Sequence, residues 1–92
     1  MKQLSLAALQ EMQAQGLPLQ LIDVREAEEH AAHNIGGELI PLGEIMRNLD
    51  RIASDRPVIL YCRKGIRSQI AIQRLSTVLP ETNFYNLMGG IG

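Results

Sequence analysis

This chain has no tryptophan, one phenylalanine, two tyrosines and a single cysteine, and no run long or apolar enough to span a membrane. Each shortage removes a class of protein. With so few aromatics and a formal net charge of −1, it has neither the stacking groups nor the basic surface of a nucleic-acid binder. One cysteine closes no internal disulfide and builds no zinc knuckle. His30 and His33 lie three apart with no third ligand nearby, so they read as surface residues or as supports behind a site rather than metal ligands, and no metal or cofactor is expected. The opening Met1-Lys2-Gln3-Leu4-Ser5 lacks the apolar core and small-residue cleavage site of a secretory signal. A reducing, cytoplasmic setting is therefore expected, with neither membrane nor nucleic acid as partner.

What is there is one small layered domain: 92 residues, 46% hydrophobic and 21% charged. Lys2-Gln3-Leu4 reads as a short edge strand, and Ser5 can cap a helix with Leu6, Leu9 and Met12 on one face, ended by Gly16. Gln20 to Val24 is a buried strand. Glu26, Glu28 and Glu29 suit the first turn of a short helix, where negative charge meets the positive end of the dipole, and read as a solvated face. After the break at His33-Asn34-Ile35-Gly36-Gly37, Glu38-Leu39-Ile40-Pro41 is a very short strand. Leu42, Ile45, Leu49 and Ile52 then mark the buried stripe of a second helical stretch, with Arg47, Asp50 and Arg51 in water. Arg56 to Tyr61 is again a buried strand. From Ser68 onward, Ala71, Ile72, Leu75, Val78 and Leu79 fall on one helix face until Pro80. Thr82 to Leu87 is the last strand, followed by the glycine loop Met88-Gly89-Gly90-Ile91-Gly92. Strands alternating with helices predict an α/β fold with a parallel sheet covered on both faces. In such sheets sites form at the carboxyl ends of strands, where Asp23-Val24-Arg25, Cys62 and Met88-Gly89-Gly90 all fall.

The chemistry concentrates in Tyr61-Cys62-Arg63-Lys64-Gly65-Ile66-Arg67-Ser68, a tight loop between strand and helix. The first N–H groups of a helix have no partner within it and present partial positive charge, a setting that lowers a cysteine pKa and favours the nucleophilic thiolate. Between Pro57 and Pro80 lie Arg63, Lys64, Arg67 and Arg74 and no acid, so the segment carries +4 while the rest of the chain carries −5. Taken alone, a lone cysteine is more often a small buried hydrophobe. Its cationic flanks and the mid-loop Gly65, suited to a backbone that curls its N–H groups around an anion, favour a reactive, anion-binding thiolate instead.

Three separated segments together resemble the rhodanese family of sulfurtransferases: Leu21-Ile22-Asp23-Val24-Arg25-Glu26, Tyr61 to Ser68, and Asn86-Leu87-Met88-Gly89-Gly90-Ile91. The resemblance implies a single rhodanese domain over residues 1–92, with a rhodanese-like three-layer α/β/α fold around a five-stranded parallel sheet. It further implies a loop from Cys62 to Arg67 that cradles a cysteine persulfide. Cys62 would carry the transferred sulfur, held by the backbone N–H groups of Arg63, Lys64, Gly65, Ile66, Arg67 and Ser68. Arg63 and Lys64 match a Cys-Arg-Lys-Gly version found in thiosulfate-using rhodaneses, where they hold the sulfonate end of the donor. Asp23 and Arg25 match architectural positions. The sequence departs from the family at Ala32-His33-Asn34-Ile35-Gly36-Gly37-Glu38, which lacks the usual proline and leaves His33 without an assigned role, and it does not show the helix into which the family continues beyond Gly-Gly-Ile.

The expected activity is transfer of a sulfane sulfur from thiosulfate or a persulfide donor, through Cys62, to a thiol, cyanide or protein acceptor. The alternative is a sulfur-relay or regulatory module of a larger protein, loaded by a partner. A phosphatase or arsenate reductase of the same fold needs Cys-x5-Arg around a tetrahedral oxyanion. The spacing here is Cys-x4-Arg, from Cys62 to Arg67, which suits a single sulfur atom better.

Overall fold

The computed structural model describes all residues from Met1 to Gly92. Five strands form one sheet: β1 (Gln3–Leu4), β2 (Gln20–Asp23), β3 (Glu38–Leu39), β4 (Val58–Tyr61) and β5 (Phe84–Leu87). Their order is β1-β5-β4-β2-β3 and every pairing is parallel. Three α-helices, α1 (Leu6–Ala14), α2 (Ala27–Ala32) and α3 (Ile66–Val78), supply the crossovers together with two 3-10 segments, Leu42–Arg47 and Leu49–Arg51. The expected five-stranded parallel α/β fold is the one observed.

β4 lies at the centre because all four of its side chains are apolar enough to be buried on both faces. Its alternation sorts them. Val58, Leu60 and, one step beyond the strand, Cys62 belong to the cluster with Ala71, Ile72 and Leu75 of α3 and with Ile45; Ile59 and Tyr61 pack with Leu9 and Leu87 on the opposite face. Each fully buried aliphatic side chain contributes about 1.5–3 kcal/mol to this arrangement. The register pairs Asp23 with Tyr61 and Leu60 with Asn86, so the carboxyl ends of β2, β4 and β5 reach one rim together.

Several local expectations are refined. The stretch from Leu42 winds as 3-10 turns rather than an α-helix. Apolar residues three and four apart suit either winding, and Asn48 leaves the helical region at φ −128°, ψ 34° while its side-chain amide takes up the Glu44 carbonyl at 2.8 Å. Ile45 is buried as expected, and Arg47, Asp50 and Arg51 are exposed. Ser5 caps α1 through its Oγ, which accepts the N–H of Ala8 at 3.0 Å, but Leu6 lies on the exposed side and Leu9 alone is fully buried. Helix α3 begins at Ile66, two residues before the expected Ser68, and Val78 near its end is exposed.

Candidate active site

Cys62 follows β4 directly and is 1% exposed, yet its sulfur is not packed in apolar surroundings alone. The Gly65 N–H donates to Sγ at 3.0 Å, and Ser68 Oγ lies 3.4 Å away. Cys62 lines an open pocket of about 260 Å3 together with Arg63, Lys64, Ile66 and Arg67. A larger concavity of about 450 Å3, at the amino ends of β1 and β5, is lined by Met1, Lys2, Ile72, Gln73, Ser76, Thr82 and Phe84 and gathers no thiol, imidazole or carboxylate.

The loop can curl because Gly65 caps α3 at φ +91°, a conformation that side chains rarely adopt. The glycine loop after β5 then fixes the direction of its amides. Ile91 N–H donates to the Cys62 carbonyl at 3.1 Å and Gly92 N–H to the Arg63 carbonyl at 2.8 Å. A trans peptide points its C=O and N–H to opposite sides, so holding these two carbonyls outward turns the N–H groups of Arg63 and Lys64 the other way. Gly90 allows the close approach, since a Cβ there would stand 2.3 Å from the Arg63 carbonyl oxygen.

Burial pushes the Cys62 thiol up, but hydrogen bonds from the Ser68 side chain and from the N–H groups of Ser68, Gly65 and Lys64 outweigh it, and the thiol is held below its ordinary range. The largest contributions come from amides and a hydroxyl; of the cations the sequence suggested, Arg67 feels the thiolate, whose charge adds to the Glu29 hydrogen bond in holding the guanidinium up. Ser68 has one proton to give, and two acceptors face it: the thiolate and Oδ1 of the fully buried Asn86, to which it is hydrogen-bonded here. While it serves Asn86, its oxygen is free to accept from the thiol; rotation makes it a donor to the thiolate. Asn86 Nδ2 in turn donates to Gln3 Oε1 at 2.8 Å. The sequence places Asn86 in the third of the resembling segments without giving it a role, although a polar residue among the apolar positions of a last strand is a visible signal.

The structure divides the loop cations. Arg63 and Lys64 are exposed and in no ion pair. Arg67 lines the pocket, but its guanidinium meets both carboxylate oxygens of Glu29 at 2.7 and 2.8 Å. Hydrogen bonds from Arg67 and from the Glu26 N–H hold the Glu29 carboxyl down to about 2. The reading of Glu26, Glu28 and Glu29 as one solvated face thus fails at Glu29. Ile66 is 64% exposed at the pocket edge, while Gly65 and Ser68 are buried beneath it.

At the end of β2, Asp23 is fully buried and accepts from Arg25 Nε at 3.0 Å, a second guanidinium nitrogen at 2.9 Å and the Arg25 N–H at 2.9 Å. His30 Nδ1 approaches the same carboxylate at 2.9 Å, so of the two expected places for His30, at the surface or in support of a site, the structure shows the second. Burial pushes the Asp23 carboxyl up, yet these hydrogen bonds from Arg25 and His30 prevail and keep it below its usual range. Arg25 also donates to the His33 carbonyl, ties down the segment after α2, and stacks 5.7 Å from the Tyr61 ring centroid. His33 enters the site through its backbone alone.

Comparison with known proteins agrees with this geometry. Residues 5–92 match the rhodanese-like domain. An uncharacterized Bacillus subtilis protein, YqhL, is 43% identical over 72 residues, covering 77% of this chain and 56% of its own length. The adenylyltransferase and sulfurtransferase MOCS3 of Drosophila sechellia is 35% identical over 85 residues, which is 84% of this chain and 19% of that protein. The chain thus spans little more than half of the first relative and about a fifth of the second. Among solved structures, a human single-domain sulfurtransferase superposes with a TM-score of 0.84 at 27% identity, covering 99% of this chain and 92% of the other.

Proposed function

The chain belongs to the rhodanese-like domain family, and from that membership we propose that it is a sulfurtransferase moving a sulfane sulfur through a persulfide on Cys62. The observation that carries the reading is a cysteine that lines an open pocket while its sulfur is hydrogen-bonded by the Gly65 N–H and lies beside Ser68. A buried cysteine kept only for packing would not be given donors that favour its charged form.

In the first half-reaction the Cys62 thiolate attacks the outer sulfur of thiosulfate, or the terminal sulfur of a persulfide donor. A new S–S bond forms, the donor's S–S bond breaks, and its electron pair leaves with sulfite or the donor thiolate. In the second, an acceptor nucleophile such as a thiol or cyanide attacks the outer sulfur of the Cys62 persulfide, and the thiolate is regenerated. This is covalent, two-step catalysis without a separate general base, because hydrogen bonding already favours the ionised thiol. Amides that favour the thiolate also stabilise the persulfide anion, in the manner of an oxyanion site. Arg63 and Lys64, free at the rim, would hold the sulfonate of thiosulfate and offset the charge gathering on departing sulfite.

A second reading, a relay module fed by a protein persulfide, is favoured by the exposed Ile66 at the pocket edge and by relatives in which this domain is about a fifth of the protein. Mass spectrometry separates the two. A mass gain of one sulfur atom on Cys62 after thiosulfate, absent from Cys62→Ser, supports the first; loading from a protein persulfide alone supports the second; loading from neither sinks both.

A further inference from the structure

The pocket carries less free positive charge than its loop sequence implies. Arg63 and Lys64 are unpaired, but Arg67 is matched by Glu29, oxygen for nitrogen. Glu29 is fixed independently of its partner: the same Oε1 that meets Arg67 accepts the Glu26 N–H at 3.0 Å at the start of α2. A guanidinium does not give up its proton, so a neighbouring carboxylate is what can cancel its field. The two side chains are 33% and 31% exposed, enough shelter for the pairing to be felt from inside the pocket.

We propose that Glu29 sets the donor preference of the Cys62 pocket: by cancelling the charge of Arg67, it favours sulfur donors carrying one negative charge over dianions. The inference rests on the sulfur-transfer reading and deepens it. The attacking thiolate is itself an anion and repels a dianion about twice as strongly as a monoanion, because the interaction scales with the product of the charges. Each unpaired cation at the pocket weakens that discrimination, and Glu29 offsets the charge of one of the three loop cations. Persulfide and thiosulfonate anions carry one charge; thiosulfate carries two. Glu29 touches no reacting atom and acts through Arg67, so it is a positioning residue.

The test compares thiosulfate with the methanethiosulfonate anion, which offers the same outer sulfur with one charge fewer, on the parent protein, Glu29→Gln, Arg67→Gln and the double variant. At low salt Glu29→Gln should move the ratio of kcat/KM values about fivefold toward thiosulfate, mainly through KM. Arg67→Gln leaves a bare carboxylate by the pocket and should move the ratio the other way. The double variant removes a neutral pair and should return the ratio toward that of the parent. Added salt should shrink every shift. A structural role alone would slow both donors alike and leave the ratio flat in all three variants, which overturns the proposal. Alkylation of Cys62 by iodoacetate relative to iodoacetamide reads the same field without sulfur transfer, since the ratio is independent of thiolate fraction. Alkylation ratios that move as stated in a protein transferring no sulfur keep Glu29 as keeper of the pocket charge and refute the donor reading. Flat alkylation ratios overturn the proposal whatever the turnover.

Discussion

The carboxyl ends of β2 and β4 are paired neighbours, with Asp23 opposite Tyr61, yet they bury reactive groups in opposite ways. At β2 a charged side chain is buried by closing a circuit: Asp23, Arg25 and His30 satisfy one another, and no buried side-chain polar atom is left without a partner. At β4 the buried group is a thiol, and what favours its charge is chiefly the backbone and the Ser68 hydroxyl, with the Gly65 amide aimed at the sulfur of a residue that lines an open pocket. A network of side chains that satisfies itself stiffens the fold and has nothing left to offer a ligand. A cradle of main-chain donors at a helix start keeps its field for whatever anion arrives.

The sharpest way to separate the two ends is Cys62→Ser. Sulfur transfer should vanish while the melting temperature moves by no more than about 3 °C, and substantial residual turnover would remove Cys62 from the centre of the reaction. Asp23→Asn should do the reverse. It unpairs a buried guanidinium and should cost about 3 kcal/mol or more in urea unfolding, with loss of activity following loss of fold. The pH dependence follows from the sign of the shift. Asp23 is held below its usual range in the folded chain, so its stabilisation is present above the unfolded carboxyl value of about 4 and is lost as pH falls through the lower folded value. Unfolding midpoints of the parent and Asp23→Asn should therefore converge on acidification.

Gly65→Ala strains both the fold and the cradle. At φ +91°, with a new Cβ 3.3 Å from the Gly89 nitrogen, it should cost about 1–2 kcal/mol. It should also raise the thiol pKa, seen as slower iodoacetamide alkylation near neutral pH; an unchanged pKa would mean that the Gly65 amide does not set the ionisation. The smallest effect is expected at the rim. Arg63→Ala and Lys64→Ala should each raise the KM for thiosulfate about three- to tenfold with little change in stability, and unaltered kinetics in both would point to another donor.

Much of this was legible in the residues. The apolar runs at Gln20 to Val24 and Arg56 to Tyr61 announced buried strands because they are too short for helices and rich in β-favouring residues; Val58 to Tyr61 is buried at every position, while Gln20 and Leu21 are half-buried. Cys62 stood out because glycine and cations surround it. Less legible was the winding of Leu42–Arg51, where apolar spacing suits two kinds of helix and the backbone of Asn48 breaks the stretch in two. Also hidden were the partners of the site, Glu29, His30 and Asn86, which lie far from Cys62 along the chain.

Pattern and composition alone determined the order of elements, the parallel sheet and the place of the thiol at a strand end, because burial period and helix-start chemistry are local properties. Only the tertiary structure decided which charges stay free. Arg67 reads as a cation of the loop until α2 brings Glu29 against it, and the Cys62 and Arg63 carbonyls find their donors in Ile91 and Gly92 at the far end of the chain. Ion pairs and amide directions of this kind depend on separation in space, which the spacing of residues along a chain does not fix.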